Sequence, residues 1–148
     1  MMERLAILGG TPVRATLLPY ARQTITANDI AAVSEALTSD WITQGPAGAR
    51  FEQALAERAS VAHAVAFSSG TAALHAACWA AGLGPSDEAI TTPLTFAATA
   101  NAVVYQGARP VFADIDGATL NLEPDAVKRA ATGRTRALLP VDYAGLPC

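Results

Sequence analysis

From Ala62 onward the chain repeats one rhythm: a short apolar stretch, a turn of small residues, then an alanine-rich stretch with helical spacing. "HAVAFS" precedes "TAALHAACWAAGL", which stops at Gly82 and Gly84. "EAITT" precedes "TFAATANAVVYQG", which stops at Gly107. "RPVFADI" precedes "EPDAVKRAA", with Pro124 in its first turn, and "TRALLPV" follows. Strands this short, each separated from the next by a helix, cannot pair as hairpins. They pair in parallel, and each crossover helix covers a face of the sheet. The pattern predicts an α/β fold with a mainly parallel sheet of four strands flanked by helices, with right-handed crossovers.

The residues before Ala62 read differently. "LPYARQTI" is a loop containing Pro19, and Thr26 with Asp29 has the capping-box spacing. Ile30, Val33 and Leu37 follow at helical intervals, and "TQGPAG" breaks that helix. "ARFEQALAERASV" predicts a second helix with Phe51, Leu55 and Ala59 on one face. The chain thus divides into a helix-and-loop segment, 1–61, and a strand-and-helix segment, 62–148. It ends in "VDYAGLPC", just after a core strand, where a further crossover is due, so the sequence reads as cut.

Composition removes several classes of function. Hydrophobic residues are 51% of the 148 and charged residues 16%, which is a globular balance. The net charge of -3, with no basic run, argues against nucleic acid as a partner. No apolar stretch approaches the ~20 residues that span a bilayer, and no signal-peptide pattern opens the chain. Cys78 and Cys148 lack metal-ligand spacing, so no metal site is expected, and a reduced cytoplasmic setting follows.

Ligands of open parallel sheets bind beyond the carboxyl ends of the strands. Ser69, Gly70 and Thr71 stand there, between a strand and a helix. The first turn of a helix has unpaired N–H groups and partial positive charge, glycine admits close approach, and hydroxyls add donors: together these suit a phosphate. A plain N-cap by Ser69 accounts for the same residues. "TTPLTFAATAN" brings Thr92, Thr95 and Phe96 to the same edge; Phe96 suits stacking on a flat ring, or a place in the core. Asp114 and Asp116 read as solvated loop carboxylates, His63 as exposed and His75 as partly buried. Lys128 is the sole lysine, on the polar side of a crossover helix beside Asp125 and Arg129.

The ordered set "LPYARQTI", "SDWITQGP", "FEQALAE", "AVAFSSGTAALHAA", "GLGPSDEAITTPLTFAATANAVVYQGARPVFADID", "TLNLEP" and "RALLPVDYAGLPC" resembles the N-terminal part of the DegT/DnrJ/EryC/StrS nucleotide-sugar aminotransferases. Within that family it is nearest to the transaminases of pseudaminic-acid and related amino-sugar synthesis. The resemblance implies the pyridoxal-phosphate-dependent transferase fold type I, the aspartate-aminotransferase fold, of which this chain is a partial large domain. It implies pyridoxal 5'-phosphate as cofactor, with Ser69, Gly70 and Thr71 holding the phosphate and Phe96 on the pyridine ring. It implies a nucleotide-sugar pocket lined by Tyr20, Trp41, Ile42, Thr43 and Gln44, an amino-acid donor, with glutamate expected in that place, and a homodimer to which 1–61 contributes contacts. The family's Schiff-base lysine falls beyond Cys148, and Lys128 does not replace it, so this chain alone is not expected to transaminate. Because that position is missing, a sugar dehydratase of the same fold remains an alternative, as does a non-catalytic phosphate-binding fragment or a non-functional partial product. Asp142 stands where many relatives carry histidine.

Overall fold

The computed structural model describes residues 4–19 and 21–148. It divides into two units, residues 1–50 and 51–148, with the boundary inside a helix.

The first unit is helical. A short 3-10 turn at Ala6–Leu8 precedes α1, Ala27–Thr38. Thr26 and Asp29 form the capping box the spacing predicts: the Asp29 carboxylate accepts from the Thr26 N–H at 2.6 Å, and Thr26 Oγ1 accepts from the Asp29 N–H at 3.4 Å. Helix α2, Pro46–Ala59, begins at the proline of "TQGPAG" and runs on into the second unit.

The second unit holds α3 (Gly70–Ala80), β1 (Glu88–Thr91), α4 (Ala98–Tyr105), β2 (Arg109–Phe112), α5 (Pro124–Ala130) and β3 (Thr135–Leu139). The three strands are parallel, in the order β2-β1-β3. All four residues of the central strand are buried, because both faces of the sheet are covered. On one face Cys78 and Leu83 pack with Ala102, Val103, Ala89 and Ala108. On the other, Ile90 packs with Ala113 and Ala126. Small side chains at Ala89, Ala102 and Ala126 let the helices lie close to the sheet. Helix α5 starts where Pro124 occupies the first turn and Glu123 accepts from the Ala126 N–H at 2.7 Å.

Strand β1 begins on a charge. Glu88 has a side chain only 1% exposed, and the guanidinium groups of Arg109 and Arg134 both reach its Oε1. Thr132 Oγ1 donates to Oε2 at 2.8 Å. The hydrogen bond from Arg109, then the one from Thr132, hold the Glu88 carboxyl below its ordinary range. This ties β1, β2 and the turn before β3 together at the amino edge of the sheet.

One expected strand does not form. Residues 63–68, "HAVAFS", are extended but carry no ladder, and the sheet has three strands among the described residues, not four. The alternation is there, but among the described residues the segment pairs with neither of the edge strands β2 and β3. The Ala66 N–H bonds instead to Glu52 Oε1 on α2 at 2.8 Å, and Val65 and Phe67 stay exposed. No helix is long and apolar enough to cross a membrane among the described residues.

Candidate functional site

Helix α3 leads through the 81–87 turn into the amino end of β1, and Leu74 and Cys78 belong to the core that includes Ala137 and Leu139. It therefore runs antiparallel to the strands, and its first residues stand at their carboxyl edge. Ser69 is the N-cap, with extended backbone (φ -162°, ψ 160°), and its Oγ accepts from the Ala72 N–H at 3.2 Å. The Ala73 N–H bonds to Ser69 O at 3.1 Å. The N–H groups of Gly70 and Thr71 are the two of the first turn that no cap engages.

Gly70 lies outside the left-handed region, so its backbone does not require glycine. A Cβ built there meets nothing within 4 Å. Packing does not require glycine either. The space beside its Cα is open.

The β1 loop shares this edge. Thr91 and Thr92 are buried; Thr91 Oγ1 donates to Leu139 O at 2.8 Å, and Thr92 Oγ1 accepts from the Leu94 N–H at 3.1 Å. The hydroxyls of Thr95 and Thr99 bond each other at 2.8 Å, so Thr95 is spent on its own loop. Phe96 precedes α4 instead of lying within it and is 78% exposed. Of its two sequence readings, the core one fails. Phe96 and the capped start of α3 belong to the same unit, but no cleft is lined by both among the described residues.

The remaining expected residues fall elsewhere. Trp41, Ile42 and Gln44 line a cleft of about 510 Å³ within the first unit, with Ala32, Ala36 and Arg50. Thr43 is exposed and does not line it. Gln44 adopts φ 53°. Tyr20 lies outside the described residues. Lys128 Nζ is 2.8 Å from Asp125 Oδ1 on the exposed side of α5. Asp114 and Asp116 are exposed; N–H groups of Thr119 and Ala118 and the Thr119 hydroxyl hold the Asp116 carboxyl below its ordinary range. His75 is exposed, not partly buried, with its ring edge-on to Tyr105 at 5.3 Å between centroids. A second cleft, between α2 and residues 60–64, has Glu52 and Glu57 in its lining, the wrong charge for an anion.

The family described as the DegT/DnrJ/EryC1/StrS aminotransferases matches residues 23–148. The chain belongs to this family. It is 47% identical over 135 residues to the spore coat polysaccharide biosynthesis protein SpsC of Bacillus subtilis, covering 91% of this chain and 35% of that protein. Spr1654 from Streptococcus pneumoniae, solved in PLP and PMP forms, superposes with a TM-score of 0.82 at 33% identity, over 88% of this chain and 33% of that one. Helicobacter pylori PseC, an aminotransferase involved in the biosynthesis of pseudoaminic acid, gives a TM-score of 0.79 at 37% identity, over 88% and 35%. The fold is thus the pyridoxal-phosphate-dependent transferase fold type I in part, and the chain spans about a third of the length of these relatives.

Sequence reasoning missed one residue of this region, Asn121, which is buried and reaches the loop after β3. Its only local signal is an amide side chain between two leucines in "TLNLEP".

Proposed function

We propose that this chain supplies the phosphate grip and one ring-stacking surface of a pyridoxal-phosphate site, in a protein that transfers an amino group to a keto-sugar nucleotide for amino-sugar and surface-polysaccharide synthesis. The observation that carries the reading is the start of α3: two uncommitted N–H groups beside a glycine with open space above it. Pyridoxal phosphate, when bound, supplies the aldehyde and the electron sink for amino transfer. The chain's residues do the holding. The N–H groups of Gly70 and Thr71 and the Thr71 hydroxyl donate to phosphate oxygens, and the dipole of α3 favours the negative charge. Ser69 keeps the helix start in place by capping it. Phe96 offers its face to the pyridine ring.

The segment 1–61 contributes to the sugar-nucleotide pocket and to contacts in a homodimer. In support, Trp41, Ile42 and Gln44 line one cleft, and the α1 stripe of Ile30, Val33 and Leu37 is exposed. Glutamate is the amino donor in this reading, and the setting is cytoplasmic, consistent with two unpaired cysteines. The only lysine is ion-paired to Asp125 on α5, so this chain by itself binds without transaminating.

The test is titration of the 148-residue chain with pyridoxal 5'-phosphate, pyridoxal and inorganic phosphate, read by calorimetry and thermal shift. Binding of both phosphorylated ligands, weaker in Thr71→Val and absent for pyridoxal, supports the grip. No binding of either phosphorylated ligand at millimolar concentration refutes it.

A further inference from the structure

Asn121 lies in the loop between β2 and α5 and is 6% exposed. Its Nδ2 donates to Leu146 O at 3.0 Å and to Pro147 O at 3.1 Å, and its Oδ1 accepts from the Tyr143 N–H at 2.9 Å. A side-chain amide offers two donors and two acceptor lone pairs. Three of these four go to one short segment, more than 20 residues away in sequence, which follows β3.

Within the segment the Gly145 N–H bonds to Asp142 O and the Leu146 N–H to Tyr143 O, both at 3.0 Å, yet one of its residues is strained. Ala144 sits at φ 53°, ψ 23°, in the left-handed region that favours glycine. A non-glycine residue stays there only where its surroundings impose it. The surroundings here are the Asn121 amide and the Asp142 carboxylate, whose Oδ1 accepts from the Cys148 N–H at 2.9 Å.

Topology gives the clamp its place. The strand order β2-β1-β3 reverses direction between β1 and β3, and an open α/β sheet binds its ligand in the crevice outside such a pair. Thr91 pairs with Leu139, so the loops that follow β1 and β3 leave the sheet side by side. The β1 loop carries Phe96. The β3 loop is the one Asn121 holds.

We propose that Asn121 is a positioning residue: by clamping the main chain of Tyr143–Pro147 it fixes the second wall of the β1/β3 crevice, and so sets the space available to the ring of a phosphorylated aromatic ligand. The ligand part of this role rests on the reading given under Proposed function; the clamp does not.

Asn121→Ala removes all three bonds. Asn121→Asp keeps the acceptor for Tyr143 but sets a buried carboxylate against two carbonyls and is the harsher variant; Asn121→Ser, which keeps a shorter polar side chain, is used if Ala does not fold. Each is titrated with pyridoxal 5'-phosphate and, separately, with inorganic phosphate, and amide hydrogen exchange is followed at Tyr143 and Ile90. The expected result is a Kd for pyridoxal phosphate raised about tenfold, which is ~1.4 kcal/mol. The Kd for inorganic phosphate stays within about twofold, since the grip on α3 is untouched. Tyr143 loses protection and Ile90 keeps it. Equal loss of both ligands, or no change in either, overturns the positioning role. A Tyr143 amide that stays protected in Asn121→Ala overturns the clamp, whatever the ligands do. A wild-type chain that binds neither ligand overturns the ligand reading and this role with it, and the exchange data then show whether the clamp alone survives.

Discussion

Gly70→Ala separates what the fold needs from what the site needs. The position has no left-handed backbone, and the added methyl meets nothing within 4 Å. Alanine is favoured over glycine in a helix interior by about 0.5–1 kcal/mol, and Gly70 is the first residue of α3, so about 1 kcal/mol is the upper limit of the gain. For a chain of this size, 1 kcal/mol moves Tm by about 2–4 °C. The ligand-free variant is therefore as stable as the parent or a few degrees more so. On the proposed reading a phosphate oxygen approaches the N–H groups of Gly70 and Thr71, and the added methyl crowds that approach. At a ligand concentration of about 100 Kd, binding stabilises the parent by about 2.7 kcal/mol, equivalent to roughly 5–10 °C. In Gly70→Ala that ligand-dependent shift collapses. Scanning fluorimetry of both proteins, with and without pyridoxal 5'-phosphate, reads both quantities at once. A variant that melts well below the parent without ligand refutes the packing argument. One that keeps the full ligand shift refutes the claim that the bare Cα is there for the phosphate.

Three further outcomes follow from the rest of the unit. Because Arg109 and Thr132 hold the folded Glu88 carboxyl below its unfolded value of 4.5, its contribution is present above that pH and is lost as pH falls through the folded value; Glu88→Gln lowers the urea midpoint at pH 7 and makes its decline toward pH 3 shallower, and an unchanged slope contradicts the assignment. Ile90→Ala opens a cavity between the sheet and α5 and costs about 2–5 kcal/mol, seen as a lower urea midpoint at constant slope. Cys148 is exposed, whereas burial holds Cys78 back and pushes its thiol pKa up, so a thiol reagent labels one cysteine quickly and the second only on unfolding; two fast thiols would mean that the core around Cys78 is open.

What could be read in the sequence was what neighbouring residues decide among themselves. Thr26 with Asp29, Ser69 with Ala72 and Glu123 with Ala126 are contacts within three residues, and each marks a helix start. The three strands formed within a few residues of their expected bounds; β1 is buried throughout, while β2 and β3 bury only part of their length. "HAVAFS" shows the limit: alternation encodes a face, but a strand also needs a partner strand, and no periodicity reports which one it pairs with. The Glu88 triad and the Asn121 clamp join residues more than 20 apart in sequence, so neither leaves a local pattern. Gly70 was legible as a glycine at a helix start; that neither its backbone nor its packing needs one could be seen only from the space around it.

The two edges of the sheet differ in how their polar groups are used, and this difference supports the proposed placing of the site at the carboxyl edge. At the amino edge Glu88, the one buried charged residue among the described residues, has both carboxylate oxygens engaged by Arg109, Arg134 and Thr132. Nothing there is left to recognise a ligand, and the edge serves as a fastener. At the carboxyl edge the interior groups are also satisfied: Thr91 bonds across to Leu139, Thr95 to Thr99, and Asn121 to the β3 loop. These bonds fix the loops after β1 and β3 from within, while the first N–H groups of α3 and the ring of Phe96 have no hydrogen-bond or stacking partner among the described residues. Donors held in place before the ligand arrives spend little binding energy on ordering, so affinity concentrates where internal bonding is complete and outward bonding is not. If that is the organising principle, weakening an interior bond such as Thr91 to Leu139 lowers ligand affinity without touching a ligand contact, and Thr91→Val, which keeps the shape and removes the donor, is the substitution that measures it: expected are a weaker Kd for pyridoxal phosphate and retained binding of inorganic phosphate, whereas an unchanged Kd for pyridoxal phosphate in a folded variant would sink the principle.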